Sequence, residues 1–420
     1  MQTMDINTIR THIEQLDTFK TTTLVFQLRT RLERKDLTEK ALLPSMLERG
    51  TKHFPSRQHV QGALEELYGA SLSGDVVKKG EHHVVTIKLE AANEKFLQEE
   101  VPLLERAVQM TASLLFYPNI QDGAFPEDIL QEEKRSHAQK IQSVYDDKMR
   151  FANKRLAEEM CDGEGYALPV LGMKEDLEQI TGASLYDAYQ RLISEAQMDF
   201  YVVGDVDPKE TGALIEHYMH PDREHMPGEY QLPAHEKPAD VKVVKETQQL
   251  KQAKLHIGYR TGISFGDSDY FALQMANSLF GGAPHSKLFV NVREKESLAY
   301  YAASRLESHK GLMIVMAGID TKKFDQADAI IDEQLDAVKQ GDFTEADVEQ
   351  TRAVLMNQIR ETMDTARGLV ELDYHSKTAG TKLQASDWLD ALASVTKEDM
   401  IRAASGITKD TVYFLQGEES

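Results

Sequence analysis

The chain repeats itself. Phe125, Glu127, Lys134 and Ile141 recur as Phe343, Glu345, Arg352 and Ile359, each 218 residues further on. Ile180-Thr181 returns as Val395-Thr396 at an offset of 215. The apolar run Phe200-Tyr201-Val202-Val203-Gly204 is echoed by Tyr413-Phe414-Leu415-Gln416-Gly417 at 213. Upstream, Phe96 and Ala107-Val108 match Phe324 and Ala337-Val338 at offsets of 228 and 230. The fall from 230 to 218 between Val108 and Phe125 reads as a 12-residue insertion in the first half. Any one match is at the level of chance, but their colinear order is not easily accidental. A chain of 420 residues also exceeds what one hydrophobic core organises, so two domains of about 200 residues are expected.

Each half reads as α+β. Val84 to Leu89, Gly311 to Ile319 and the alternating Lys254 to Tyr259 predict strands. Phe324, Ala327, Ile331, Leu335 and Val338 recur at spacings of three and four, an amphipathic helix that Gly341 stops. Its first-half counterpart, Leu97, Val101, Leu104 and Val108, contains Pro102, which predicts a kink or restart there. Strands beside long amphipathic helices suggest sheets with helices packed on one face. Pro221, Pro227, Pro233 and Pro238 stand among charges and mark a linker. The expected division is a domain over 1–219, a linker over 220–242 and a domain over 243–420.

Composition narrows the function classes. A net charge of −21, from 48 basic and 69 acidic residues, argues against nucleic acid or an anionic membrane as the partner. Its plainest meaning is a solvated acidic surface. Cys161 is the single cysteine, so neither a disulfide framework nor a thiolate metal site is expected. Met1 to Lys20 lacks an apolar signal-peptide core, and no run of 18 apolar residues exists, so the expected location is cytoplasmic.

Gly50-Thr51-Lys52 follows a short predicted helix, and Arg293-Glu294-Lys295 precedes Leu298-Ala299-Tyr300. With the duplication, these features resemble the pitrilysin/insulinase metallopeptidases, a group that includes mitochondrial processing peptidase. The resemblance runs from about Thr22 to Gly417 and implies an α+β fold of two homologous domains, each a mostly antiparallel sheet layered with helices. Active members carry HxxEH just before the Gly-Thr stretch. Two His at i and i+4 share a helical face and bind zinc, and the Glu activates the zinc-bound water. Counting back from Gly50, the corresponding residues here are Ala41, Pro44 and Ser45. The family's third ligand is a Glu seven residues after an earlier Glu; registering on Glu133 puts Lys140 there. The resemblance therefore implies a dead zinc site, no cofactor and no peptidase activity for the chain alone.

No other cluster compensates. His220 and Glu224-His225 have the wrong spacing for one helical face and are flanked by Pro221 and Pro227. His82 and His83 are adjacent in a predicted strand and point to opposite faces. His53 and His59 are also off a shared face, and neither a phosphate-binding loop nor a nucleophile elbow occurs.

In the family an Arg and a Tyr seven residues apart hold substrate peptide, and Arg293 and Tyr300 occupy those positions. A guanidinium offers forked donors to peptide carbonyls, and a phenol can donate to a developing oxyanion. The alternative is that Arg293 pairs with a local acid and Tyr300 packs. The resemblance implies a non-catalytic, peptide-binding subunit partnered with a zinc-bearing homologue. Two other readings stay open: a structural or homodimeric peptide-binding scaffold, and a peptidase with an unrecognised metal site.

Overall fold

The computed structural model describes residues 1–98, 101–228 and 240–417. The first half of the chain begins with β1 (Gln2–Ile6), β2 (Ile9–Gln15), β3 (Thr21–Arg31), α1 (Leu37–Leu47) and α2 (Arg57–Glu66). It continues with β4 (Ser71–Lys79), β5 (His82–Ala92), α3 (Leu103–Phe116), α4 (Glu127–Asp146) and α5 (Lys148–Met160). It closes with α6 (Gly182–Glu195), β6 (Gln197–Gly204) and α7 (Pro208–Tyr218). The second half runs β7 (Lys242–Gln248), β8 (Ala253–Arg260), α8 (Tyr270–Asn277), β9 (Ala299–Glu307) and β10 (Leu312–Ile319). Then follow α9 (Phe324–Lys339), α10 (Glu345–Met363), α11 (Ala366–Thr378), α12 (Ala385–Ser394), α13 (Lys397–Ser405) and β11 (Thr408–Gly417).

Two sheets result, ordered β1-β2-β6-β3-β5-β4 and β7-β11-β8-β10-β9. Without β1, the two orders are the same when strands are counted along each half. The pairings also correspond: β2 with β6 and β7 with β11 are parallel, and the remainder are antiparallel. The repeat read from scattered residues is thus a repeat of topology.

The sheets form because apolar residues alternate along strands and bury one face under helices. In the first sheet Leu24, Phe26 and Leu28 of β3 join Ile87, Leu89, Phe200 and Val202 against Leu42, Met46, Ala107 and Leu185 from the helices. In the second, Leu255, Ile257, Met313, Val315 and Phe414 meet Met275, Ile331, Leu335 and Met400. Pro102 acts as predicted: α3 begins immediately after it. Gly341, at φ +75°, follows α9 in the left-handed conformation that ends a helix.

The expected boundaries fail in one respect. The compact units are Met1–Ser143 with Leu168–Gln231, and Val144–Ala167 with Leu232–Ser420. The segment 144–167, expected in the first domain, packs in the second unit. Its helix α5 sets Phe151, Ala152 and Leu156 against Ile314, Tyr413 and Leu415 on the sheet face opposite the main helical layer. Gly258 permits this approach, since a Cβ there would lie 2.4 Å from Met160 Sδ. Arg155 pairs with Glu246 at 2.7 Å and Arg260 with Glu164 at 2.6 Å, fastening the segment further. A division drawn along the sequence cannot anticipate a helix whose apolar stripe finds its cover elsewhere. Of the expected linker, residues 229–239 lie outside the described residues, and Lys242 already belongs to β7. Among the described residues no helix is long and apolar enough to cross a membrane.

Candidate functional site

The positions of the erased zinc motif lie on α1. Nine of its eleven residues are buried, among them Ala41, Leu42, Leu43 and Pro44. Pro44 lies inside α1, and the helix runs through it. A proline inside a helix costs about 3 kcal/mol. Burial of most of the helix offsets that cost, so Ala41 and Ser45 do share a helical face.

The donors needed for a metal are nevertheless missing. Ala41 offers a methyl group and Pro44 a ring. The Ser45 hydroxyl donates to Leu42 O at 2.9 Å, within its own helix. Lys140 stands exposed on α4 and is an ammonium where a carboxylate would be required. These residues do not fit zinc. His137, one turn before Lys140, is buried with Nε2 against Leu171 O at 2.7 Å, and burial lowers its pKa. Among the described residues no group of three or more His, Cys, Asp or Glu could hold a metal ion. His225 is exposed, while His82 and His83 are buried in β5.

Ion pairing links these elements instead. Arg49, just beyond α1, pairs with the buried Glu133 and, at 3.3 Å, with Glu132, both on α4. Glu48, at the carboxyl end of α1, accepts the Gly74 N–H of β4, and burial pushes its pKa up to about 7. Sequence reasoning passed over both residues. A lone glycine within a strand is the signal that could have found Gly74, because it often marks a close approach. Here a Cβ would lie 2.7 Å from Pro44 Cβ. Among the described residues β4 pairs only with β5, so its other edge, beside α1, carries no strand.

Arg293 and Tyr300 belong to the second unit. Arg293 sits in a π-helical stretch, Leu288–Lys295, closed by wide hydrogen bonds such as Glu296 N to Asn291 O at 3.2 Å. Such widened turns are frequent at functional sites. The guanidinium lies 4.6 Å from the centroid of the Phe289 ring, and no carboxylate pairs with it among the described residues. Tyr300 is the second residue of β9, an edge strand of its sheet, and is 74% exposed between the buried Ala299 and the half-buried Tyr301. Among the described residues no acid pairs with Arg293, whose guanidinium stacks on Phe289, and Tyr300 is not packed away.

Paired α+β units of one topology, with a peptidase metal motif replaced at each position, define an inactive peptidase homologue. The comparisons with known proteins agree. A model for the peptidase M16 inactive domain matches residues 179–355. The chain is 48% identical over 408 residues to the probable inactive metalloprotease YmfF of Bacillus subtilis (strain 168), covering 97% of this chain and 96% of that one. A conserved protein of known structure from Enterococcus faecalis V583 superposes with a TM-score of 0.91 at 33% identity, over 100% of both chains. The peptidase M16 inactive domain from Pseudomonas fluorescens gives 0.80 at 16% identity, over 100% and 98%, which speaks to the fold alone. This chain belongs to the M16 metallopeptidase family, as an inactive homologue.

Proposed function

We propose that this chain is the non-catalytic, peptide-binding subunit of a two-chain zinc peptidase, paired with a homologue that carries HxxEH. The observation that carries this reading is the exposure of Tyr300 together with an Arg293 that no carboxylate among the described residues neutralises. A large aromatic residue standing three-quarters in solvent gains nothing from folding, which supports a role toward another molecule. The open edges at β4 and β9 supply rows of backbone donors and acceptors suited to an extended peptide. The net charge of −21 favours basic stretches of such a peptide.

Co-expression with a zinc-bearing M16 homologue from the same organism tests the pairing. The two chains should co-purify, and peptide cleavage should require both. Cleavage by the zinc-bearing chain alone at the full rate of the mixture would overturn the proposal and favour a scaffold or homodimer, distinguishable by its mass in solution.

A further inference from the structure

Among the described residues two carboxylates accept N–H groups of β4: Asp75 takes that of Val76 at 2.8 Å, and Glu48 takes that of Gly74. Glu48 reaches from the carboxyl end of α1, and its carboxylate accepts the N–H of Gly74 in the middle of the strand. The glycine makes the approach possible, because a Cβ there would lie 2.8 Å from Glu48 Oε1. An N–H given to a helix side chain is withheld from any strand docking along β4. Ile87 of β5 closes the site on one side, its Cδ1 3.1 Å from the same point. The charges that act on Glu48 are Lys140 and Glu133 from α4 and Arg57 from α2. The neighbouring Arg49 is engaged by Glu132 and Glu133.

We propose that Glu48 is a proton-operated latch on β4: as a carboxylate it holds the Gly74 N–H, and on protonation it releases that donor to an incoming peptide strand. The inference rests on the peptide-docking reading above. A hydrogen bond to an ionised acceptor is roughly twice as strong as one between neutral groups. Protonating Glu48 therefore weakens the contact that an arriving peptide carbonyl must displace. Burial is the largest influence on Glu48 and raises its pKa, with Glu133 adding to the rise. The Gly74 N–H, Lys140 and Arg57 oppose it, and the balance stands at about 7. The latch is thus set to open across the neutral range, with the peptide held more tightly on the acid side.

Two measurements test this on the full chain. With selective ¹⁵N-glycine labelling, the Gly74 amide shift should titrate with a midpoint near pH 7 in the wild type and stay flat in Glu48→Gln, an isosteric variant. A flat wild-type signal between pH 5.5 and 8.5, or a titration that persists in Glu48→Gln, overturns the latch. Binding of a tetramethylrhodamine-labelled (Ser-Val)7 peptide, whose side chains do not titrate, should be about tenfold tighter at pH 6 than at pH 8 in the wild type. In Glu48→Gln it should be tight at both. Peptide binding of equal, pH-independent strength in the two proteins would refute the latch while leaving the docking reading in place. A Gly74 titration with no peptide binding at any pH would remove the docking reading, and the latch with it.

Discussion

Lys134 Nζ donates to the carbonyl of Ile180 at 2.7 Å, and the same bond recurs in the second unit, where Arg352 Nη2 donates to Val395 O at 2.6 Å. Each cation lies on a long helix, α4 or α10. Each carbonyl immediately precedes a threonine that caps the next helix: Thr181 for α6, Thr396 for α13. The duplicated pairs thus do the same task twice, tying a long helix to the start of a shorter one. One single-residue match, Lys134 with Arg352, and one dipeptide match, Ile180-Thr181 with Val395-Thr396, were the visible trace of a shared joint.

Removing the donor should leave a carbonyl without its charged partner. A hydrogen bond from a charged group contributes about 1.5–3 kcal/mol. Lys134→Met and Arg352→Met should each destabilise by roughly that amount, measured by urea unfolding, whereas Lys134→Arg should recover most of the loss. Unfolding midpoints unchanged in both Met variants would refute the joint.

Metal content gives a second outcome. With Ala41, Pro44, Ser45 and Lys140 at the family's metal positions, the purified chain should retain no stoichiometric zinc after dialysis. One equivalent by mass spectrometry, accompanied by chelator-sensitive peptide cleavage, would count against the reading of this site.

The histidines predict a response to acid. Burial holds His82 and His83 down to about 4 and His256 to about 3, from an ordinary 6.5. Neither ring nitrogen of His256 has a hydrogen-bond partner among the described residues. These imidazoles stay neutral in the fold and take up protons when it opens, so stability is present above pH 6.5 and is lost as pH falls toward 4. Each contributes on the order of 2 kcal/mol of loss by pH 5. Glu48 acts with the opposite sign: its raised pKa makes the fold less stable as pH rises from 4.5 toward 7. Three groups outweigh one, so melting temperature should fall between pH 6.5 and 5, and His256→Leu should flatten the slope. A melting temperature that rises over this interval would contradict the assignment.

What the sequence made legible follows its periodicities. The stripe from Ala327 to Val338 is α9, and the alternation at Lys254 to Tyr259 is β8, since each pattern records which face is buried. The motif positions were legible because a ligand type is a chemical requirement at a fixed spacing. The segment around α5 was not, because Phe151 and Leu156 show only that a helix has an apolar face. They carry no record of which sheet covers it. Glu48 was invisible for a similar reason: its importance comes from Gly74, which is 26 residues away along the chain and adjacent in space.

The last prediction concerns Arg293 and Tyr300 as the chain's contribution to a partner's chemistry. Arg293 rests against Phe289 with its donors directed to no carboxylate among the described residues, and Tyr300 is largely in solvent. Substituting either should leave the fold of this unit and subunit association intact, since neither residue contributes to its core. If a peptide carbonyl is held by these donors while charge develops on it, losing one donor costs on the order of 10²–10³ in rate. Arg293→Ala and Tyr300→Phe should therefore each lower the peptidase activity of the two-chain mixture by at least about tenfold. His225→Ala, an exposed change elsewhere, serves as the silent control. His82 by contrast is buried, so its substitution should reduce stability. Full activity with both Arg293→Ala and Tyr300→Phe, while the subunits still co-purify, would mean that the chain supports its partner without touching the substrate.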